Sequence, residues 1–323
     1  MPREPGSGAT PCVVAVLREI EARSVAEIES VDPQVRVVRV TARDTWLDEA
    51  PDAEVIVGFR PLREGALRAR KLRWVHAIGA GVENLCEDVA GTDIRVTNNH
   101  IHGDSIAEHV FALILAHTRR LREVFDCQAA RRWAYDDLLG GLLAGRTMGI
   151  LGLGTIGRQV ARRAAAFGMR VVGTKRRPEP VPGVERVGPP QETAAVLRQA
   201  TVLVLTLPLT PATRGTLGAA QLALLPEGAF VVNVGRGGLL DEAALVDALR
   251  TGRLAGAGLD VFADEPLPES SPLWGATGVI ITPHVAGDFP GYMDHMVAQF
   301  CENLRRYLAG RPLQNTVDLA LGY

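Results

Sequence analysis

Short apolar runs rich in β-branched residues recur along the chain, separated by longer stretches in which apolar and polar positions mix. The first runs are Val13 to Leu17, Val35 to Val40, Val55 to Phe59, Trp74 to Ile78 and Ile94 to Thr97. Continuous apolar runs of this length suit strands buried on both faces of a parallel sheet. Helix-length segments between them define βαβ units. Residues 106–124 predict one long helix, with Asp104 or Ser105 as its N-cap and Glu108 about one turn in. After a glycine-rich turn at Gly140, Gly141 and Gly145, a second series begins. Its predicted strands are Met148 to Leu151, Arg170 to Gly173, Val202 to Leu207, Phe230 to Val234, Gly256 to Val261 and Val279 to Thr282. A helix from about Tyr292 to Leu308 follows. The pattern predicts an α/β protein of two Rossmann-like or flavodoxin-like parallel-sheet domains with a cleft between them. Residues 1–104 begin the first domain and 105–290 form the second.

Composition narrows the classes. A chain of 323 residues suits two domains, and 47% hydrophobic with 22% charged residues is ordinary for a globular core. A net charge of -2 gives no broad positive field for nucleic acid or an anionic membrane. No apolar run reaches the roughly 18 residues a membrane-spanning helix needs. Met1 to Pro11 is rich in Pro and Gly, lacks a signal-peptide apolar core and reads as a disordered tail. Cys12, Cys86, Cys127 and Cys301 show no CxxC pair and no nearby His cluster. Reduced, buried thiols are therefore expected, with no metal site and a cytoplasmic setting.

Gly152-Leu153-Gly154-Thr155-Ile156-Gly157 reads GxGxxG between a predicted strand and an amphipathic helix over Gln159 to Phe167. Gly152 permits the tight turn, Gly154 leaves room for a pyrophosphate, and Gly157 lets helix and strand approach. Amides at the helix start would hold the diphosphate. A glycine-rich turn in an unrelated α/β fold is the alternative. An NAD-binding domain usually places Asp or Glu about 20 residues on, to hold the adenosine ribose. Here Lys175, Arg176 and Arg177 stand instead. Cations favour a 2′-phosphate, so NADP is expected and NAD is the alternative. Two charge-assisted contacts would give a preference of about 100-fold. A solvated basic loop is the other reading of these residues.

Three further segments put charge beyond successive strands: Asn233-Val234-Gly235-Arg236-Gly237, Leu259-Asp260-Val261-Phe262 with Glu265-Pro266, and Thr282-Pro283-His284. Open parallel sheets bind ligands at such carboxyl ends. With the glycine motif and Leu207-Pro208-Leu209-Thr210-Pro211, in this order and spacing, residues 147–288 resemble the D-isomer-specific 2-hydroxyacid dehydrogenase family. Gly79-Ala80-Gly81-Val82-Glu83-Asn84 and Ala107-Glu108-His109 extend the resemblance more loosely.

The resemblance implies an oxidoreductase that passes a hydride between NADP(H) and a small 2-oxo or D-2-hydroxy acid, of the glyoxylate or hydroxypyruvate type. Arg236 would grip the substrate carboxylate and polarise its carbonyl, since a guanidinium fork matches a planar carboxylate. His284 would be the acid-base group, and Glu265 would orient its ring and stabilise its protonated form. Gly79, Ala80 and Gly81 would offer amides to the carboxylate. Cofactor contacts would come from Gly152, Gly154, Thr155, Ile156, Gly157, Leu207, Pro208, Val234, Gly235 and Arg236. Asp260, His284, Ala286 and Gly287 would complete them on the nicotinamide side. The resemblance also returns residues 291–323 to the first, substrate-binding domain and implies a homodimer formed through the cofactor domain. His100 and His102 would lie where the first domain meets the second. Glu265 stands where formate-oxidising relatives carry Gln, which argues against formate. Phosphite oxidation on the same scaffold, and a dinucleotide-sensing corepressor that keeps the same trio, remain alternatives.

Overall fold

The computed structural model describes residues 11–42, 45–58 and 63–323. Phe59, at the end of the third predicted strand, and residues 1–10 of the predicted tail lie outside the described residues. The chain divides into two compact units: the residues through Ile101 together with Phe289–Tyr323, and His102–Asp288.

The first unit begins with β1 (Cys12–Leu17), α1 (Ala22–Glu29), β2 (Val35–Arg39), α2 (Trp46–Glu49) and β3 (Val55–Gly58). It continues through α3 (Arg63–Arg68), β4 (Trp74–Ala77), α4 (Glu83–Val89) and β5 (Arg95–Thr97). The strands pair in parallel in the order β2-β1-β3-β4-β5. Side chains alternate between the faces, as strand geometry requires. Ala15, Ile56 and Val75 pack against Leu85 and Val89 on one face.

The second unit opens with α5 (Gly103–Thr118) and α6 (Leu121–Ala129), then β6 (Thr147–Leu151), α7 (Thr155–Ala166), β7 (Arg170–Thr174) and β8 (Arg186–Gly188). It runs on through α8 (Thr193–Leu197), β9 (Val202–Leu205), α9 (Ala219–Leu222), β10 (Ala229–Asn233), α10 (Glu242–Arg250), β11 (Leu254–Leu259) and β12 (Val279–Ile281). The sheet order is β12-β11-β10-β9-β6-β7-β8, and every pairing is parallel. Strand order reverses at β6, which has β7 on one side and β9 on the other. Ligands of such sheets bind outside the carboxyl ends at this switch. The chain then returns to the first unit as α11 (Tyr292–Leu308). Val297, Phe300, Leu304 and Tyr307 cover the face formed by Val14, Val16, Val55 and Trp74.

Three local expectations change. The predicted helix over 106–124 is two helices, because Arg120 takes a left-handed φ of 54° and breaks the run. The apolar face ends at the same place, in His117-Thr118-Arg119-Arg120. Neither Asp104 nor Ser105 is the N-cap of α5. That position is His102, and it makes no side-chain cap bond. Asp104 pairs with Arg163 at 2.9 Å, and Ser105 donates to Ala286 O at 2.8 Å. Strand β8 went unpredicted because Arg186-Val187-Gly188 is short and one of its three residues is charged. All four cysteines are free and buried. Among the described residues, no helix is long and apolar enough to cross a membrane.

Candidate active site

The glycine turn follows β6 directly. Gly152 has φ 106°, and a Cβ there would lie 2.9 Å from the carbonyl of Thr206. A Cβ on Gly157 would stand 2.2 Å from Gly152 O, so helix and turn are as close as backbones allow. Gly154 faces open space, with nothing within 4 Å of a Cβ. Gly152 N and Leu153 N donate to Thr174 O at 3.2 and 2.9 Å, which fastens the turn to the end of β7. Thr206 Oγ1 donates to Gly152 O at 2.7 Å. Thr155 and Ile156 begin α7, whose first amides lack intrahelical partners and whose dipole favours an anion. The rigid turn and the space over Gly154 fit a dinucleotide diphosphate. Farther along the sheet, Thr213 holds the Leu207-Pro208 loop by donating to Pro208 O at 2.6 Å.

At the end of β7 the three expected cations have company. Glu179 Oε1 accepts from both Lys175 Nζ and Arg158 Nη2. These cations hold the Glu179 carboxyl below its usual range, Lys175 more than Arg158. Neither Arg158 nor Glu179 was singled out in the sequence. The available signals were an acid four residues past Lys175 and a cation directly after the glycine motif.

The catalytic candidates leave three adjacent strands, β10, β11 and β12. Buried Asn233 ends β10. Its amide Nδ2 donates to Arg236 O at 2.9 Å, and its Oδ1 accepts from Gly235 N at 3.1 Å. This shapes the Val234-Gly235-Arg236 turn. Arg236 Nη1 donates to Gly235 O at 2.6 Å. Glu265 Oε1 accepts from Phe262 N at 2.9 Å, so its own loop holds it. Its other oxygen, Oε2, lies 2.7 Å from His284 Nδ1. A carboxylate only accepts, so Nδ1 carries the proton and Nε2 is left for chemistry. His284 adopts φ 55°, and its side chain is half exposed.

Asp260 is nearly inaccessible, at 1%. Its Oδ1 accepts from Thr282 Oγ1 at 2.6 Å and from Val285 N at 3.0 Å, and its Oδ2 accepts from Ala286 N at 3.0 Å. It therefore anchors the loop that carries His284. His109 Nε2 lies 2.9 Å from Thr282 Oγ1 and 3.6 Å from Asp260 Oδ1. Ser105 grips the same loop from α5. His102, three residues earlier, is 7% exposed, and a Cβ on Gly287 would meet its ring at 3.1 Å. Sequence reading gave His109 no role, although it lies in the Ala107-Glu108-His109 stretch of the family resemblance.

Within the first unit, the Gly79-Ala80-Gly81 loop is fixed by two asparagines. Asn98 Nδ2 donates to Ala80 O at 2.7 Å, and Asn99 N donates to Gly79 O at 3.1 Å. His100 lies in this unit, and its amide donates to Gln299 Oε1 at 3.2 Å.

A seven-stranded parallel sheet with a glycine turn at its switch point defines a dinucleotide-binding domain, and Arg, Glu and His stand at three of its neighbouring strand ends. The chain belongs to the D-isomer specific 2-hydroxyacid dehydrogenases, and that family's NAD binding domain matches residues 111–286. It is 33% identical over 296 residues to D-3-phosphoglycerate dehydrogenase of Methanocaldococcus jannaschii, covering 88% of this chain and 56% of that protein. The chain thus spans little more than half the length of that relative. It is 34% identical over 286 residues to glyoxylate/hydroxypyruvate reductase A of Serratia proteamaculans, covering 85% of this chain and 89% of that protein. Among solved structures, it resembles a D-isomer specific 2-hydroxyacid dehydrogenase of Xanthobacter autotrophicus in complex with NADPH and MES. The TM-score is 0.84 at 32% identity, covering 98% of this chain and 100% of that one.

Proposed function

We propose that this chain reduces a small 2-oxo acid of the glyoxylate or hydroxypyruvate type to its D-2-hydroxy acid, with NADPH preferred and NADH the alternative. The observation that carries the reading is the 2.7 Å contact of His284 Nδ1 with Glu265, one strand end from Arg236. Similarity to the Serratia reductase supports the substrate class, and the Xanthobacter structure with NADPH supports the cofactor.

The nicotinamide would supply the hydride. Arg236 would pair with the substrate carboxylate and draw electron density from the neighbouring carbonyl. His284, entering as imidazolium, would give its Nε2 proton to the carbonyl oxygen as the hydride reaches carbon. Glu265 would stabilise the charged ring before transfer and keep it in one orientation afterwards. Oxidation of the hydroxy acid is the same path reversed, with His284 taking the proton. Asp260 would act through the 284–287 loop that it pins. The cytoplasmic setting belongs to the same proposal, since four buried free thiols suit a reducing compartment.

The test is a steady-state panel of glyoxylate, hydroxypyruvate and bulkier 2-oxo acids in reduction, and 3-phosphoglycerate and phosphite in oxidation, each with both cofactors. The two small 2-oxo acids should have the highest kcat/KM, and NADPH should exceed NADH. A higher kcat/KM for 3-phosphoglycerate or phosphite would overturn the substrate class.

A further inference from the structure

The sequence offers cations where a ribose-binding acid usually stands, but the folded chain brings an acid back. Lys175 follows β7 directly, and its amide donates to Gly188 O at 2.9 Å, which fixes its backbone to β8. Arg158 stands in the first turn of α7, directly after the glycine motif. The Gly152 turn bonds to Thr174, the residue before Lys175. Lys175 and Arg158 therefore flank the place where the adenosine ribose of a dinucleotide meets the end of the second strand. Glu179 reaches into that place from Pro178-Glu179-Pro180 and bonds both cations with a single oxygen. The Lys175 side chain is 22% exposed, against 53% for Glu179 and 47% for Arg158. The lysine is thus the better shielded partner and the glutamate the one free to swing away.

We propose that Glu179 is a specificity-determining residue: its carboxylate occupies the 2′-phosphate position of NADPH and must leave when that phosphate binds. The inference rests on the cofactor reading above. A carboxylate brings one negative charge and two oxygens, whereas a 2′-phosphate brings up to two charges and three oxygens. The phosphate therefore wins the two cations. It does so against the bonds Glu179 gives up and against repulsion from the displaced carboxylate nearby. NADH has only a hydroxyl at this position, leaves Glu179 in place and bears neither cost. The residue thus lowers a preference that Lys175 and Arg158 would otherwise set higher. Exposed ion pairs are weak singly, and two in the middle of their range amount to about three- to tenfold in affinity.

The experiment is isothermal titration of the full chain, and of its Glu179→Gln and Glu179→Ala variants, with NADPH and NADH and no substrate. Both variants should bind NADPH about three- to tenfold tighter, with NADH changed less than about twofold, at low ionic strength. The gain should shrink at 0.5 M salt, where exposed charges are screened. An unchanged NADPH Kd in both variants, with wild type still preferring NADPH, would overturn the role of Glu179 and leave the cofactor reading standing. Equal affinity for both cofactors in wild type and variants would overturn the cofactor reading itself. Weaker NADH binding in both variants would also refute the proposal, because it would mean that Glu179 holds the ribose hydroxyls. Unchanged NADH affinity shows that the variants are folded.

Discussion

His284 is held in a backbone conformation that residues with a side chain seldom adopt, φ 55°, between Pro283 and a loop tied to Asp260. Such positions persist where the surroundings over-determine them, and they cluster at functional sites. Here the result is a ring presented to Glu265 on the adjacent strand end. Replacing His284 by Ala should lower kcat by about 10²–10⁴, the usual worth of acid-base help. The NADPH Kd should stay within about twofold, because loop anchoring runs through Asp260 and backbone amides rather than the ring. Stopped-flow reduction together with titration measures both, and full activity in the variant would remove His284 from the chemistry. The placement of the trio at three strand ends was legible because each member follows an apolar strand, while the roles proposed for them came from the family resemblance. Its supports were not legible. Ser105 and His109 act through partners that lie far away in sequence, and periodicity says nothing of those. Glu179 was hidden for the same reason: a charge beside a basic run reads as surface until folding shows which cations it meets.

Strands proved easier to read than helix boundaries. A buried parallel strand announces itself as an unbroken apolar run, whereas the end of α5 depends on one residue, Arg120, turning left-handed. The same strands carry a polar liability. His76 on β4 is fully buried, with Nδ1 2.8 Å from Thr97 Oγ1 and its ring beside Trp74 and Phe300. Its other nitrogen, Nε2, has no hydrogen-bond partner. Desolvation pushes its pKa down from 6.5 to about 3. The ring is thus neutral in the fold and takes a proton in the unfolded chain as pH falls below 6.5. Because the folded pKa is the lower, the unfolded state binds more protons between pH 6.5 and 3, and stability drops as pH falls through that window. One proton changes stability by about 1.4 kcal/mol per pH unit. Urea unfolding at pH 7.5, 6 and 4.5 should therefore show a shallower acid loss in His76→Leu than in wild type. Equal losses in the two proteins would mean that the ring titrates normally.

At the scale of the whole molecule, apolar side chains left in water draw notice. Phe125, Trp133, Tyr135, Leu139 and Leu142 are 60–93% exposed and fall within one short stretch of the second unit. Large apolar side chains exposed together within one stretch make that stretch a candidate interaction site. It supports the homodimer that the family resemblance implies. Sedimentation at micromolar concentration should show a dimer, and a Trp133→Arg, Leu139→Asp double variant should sediment as monomer while still binding NADPH. A wild-type monomer would count against the assembly. The return of α11 has a consequence of another kind, concerning the order in which the protein matures. The residues His102–Asp288 are consecutive, so that unit can fold as soon as it clears the ribosome. The first unit cannot. Trp74 and its neighbours wait, uncovered, for Phe300 and Tyr307, which are translated only after the entire second unit. Of these two units, the one whose synthesis starts earlier is completed later, and its bare sheet face is where a chaperone would be needed.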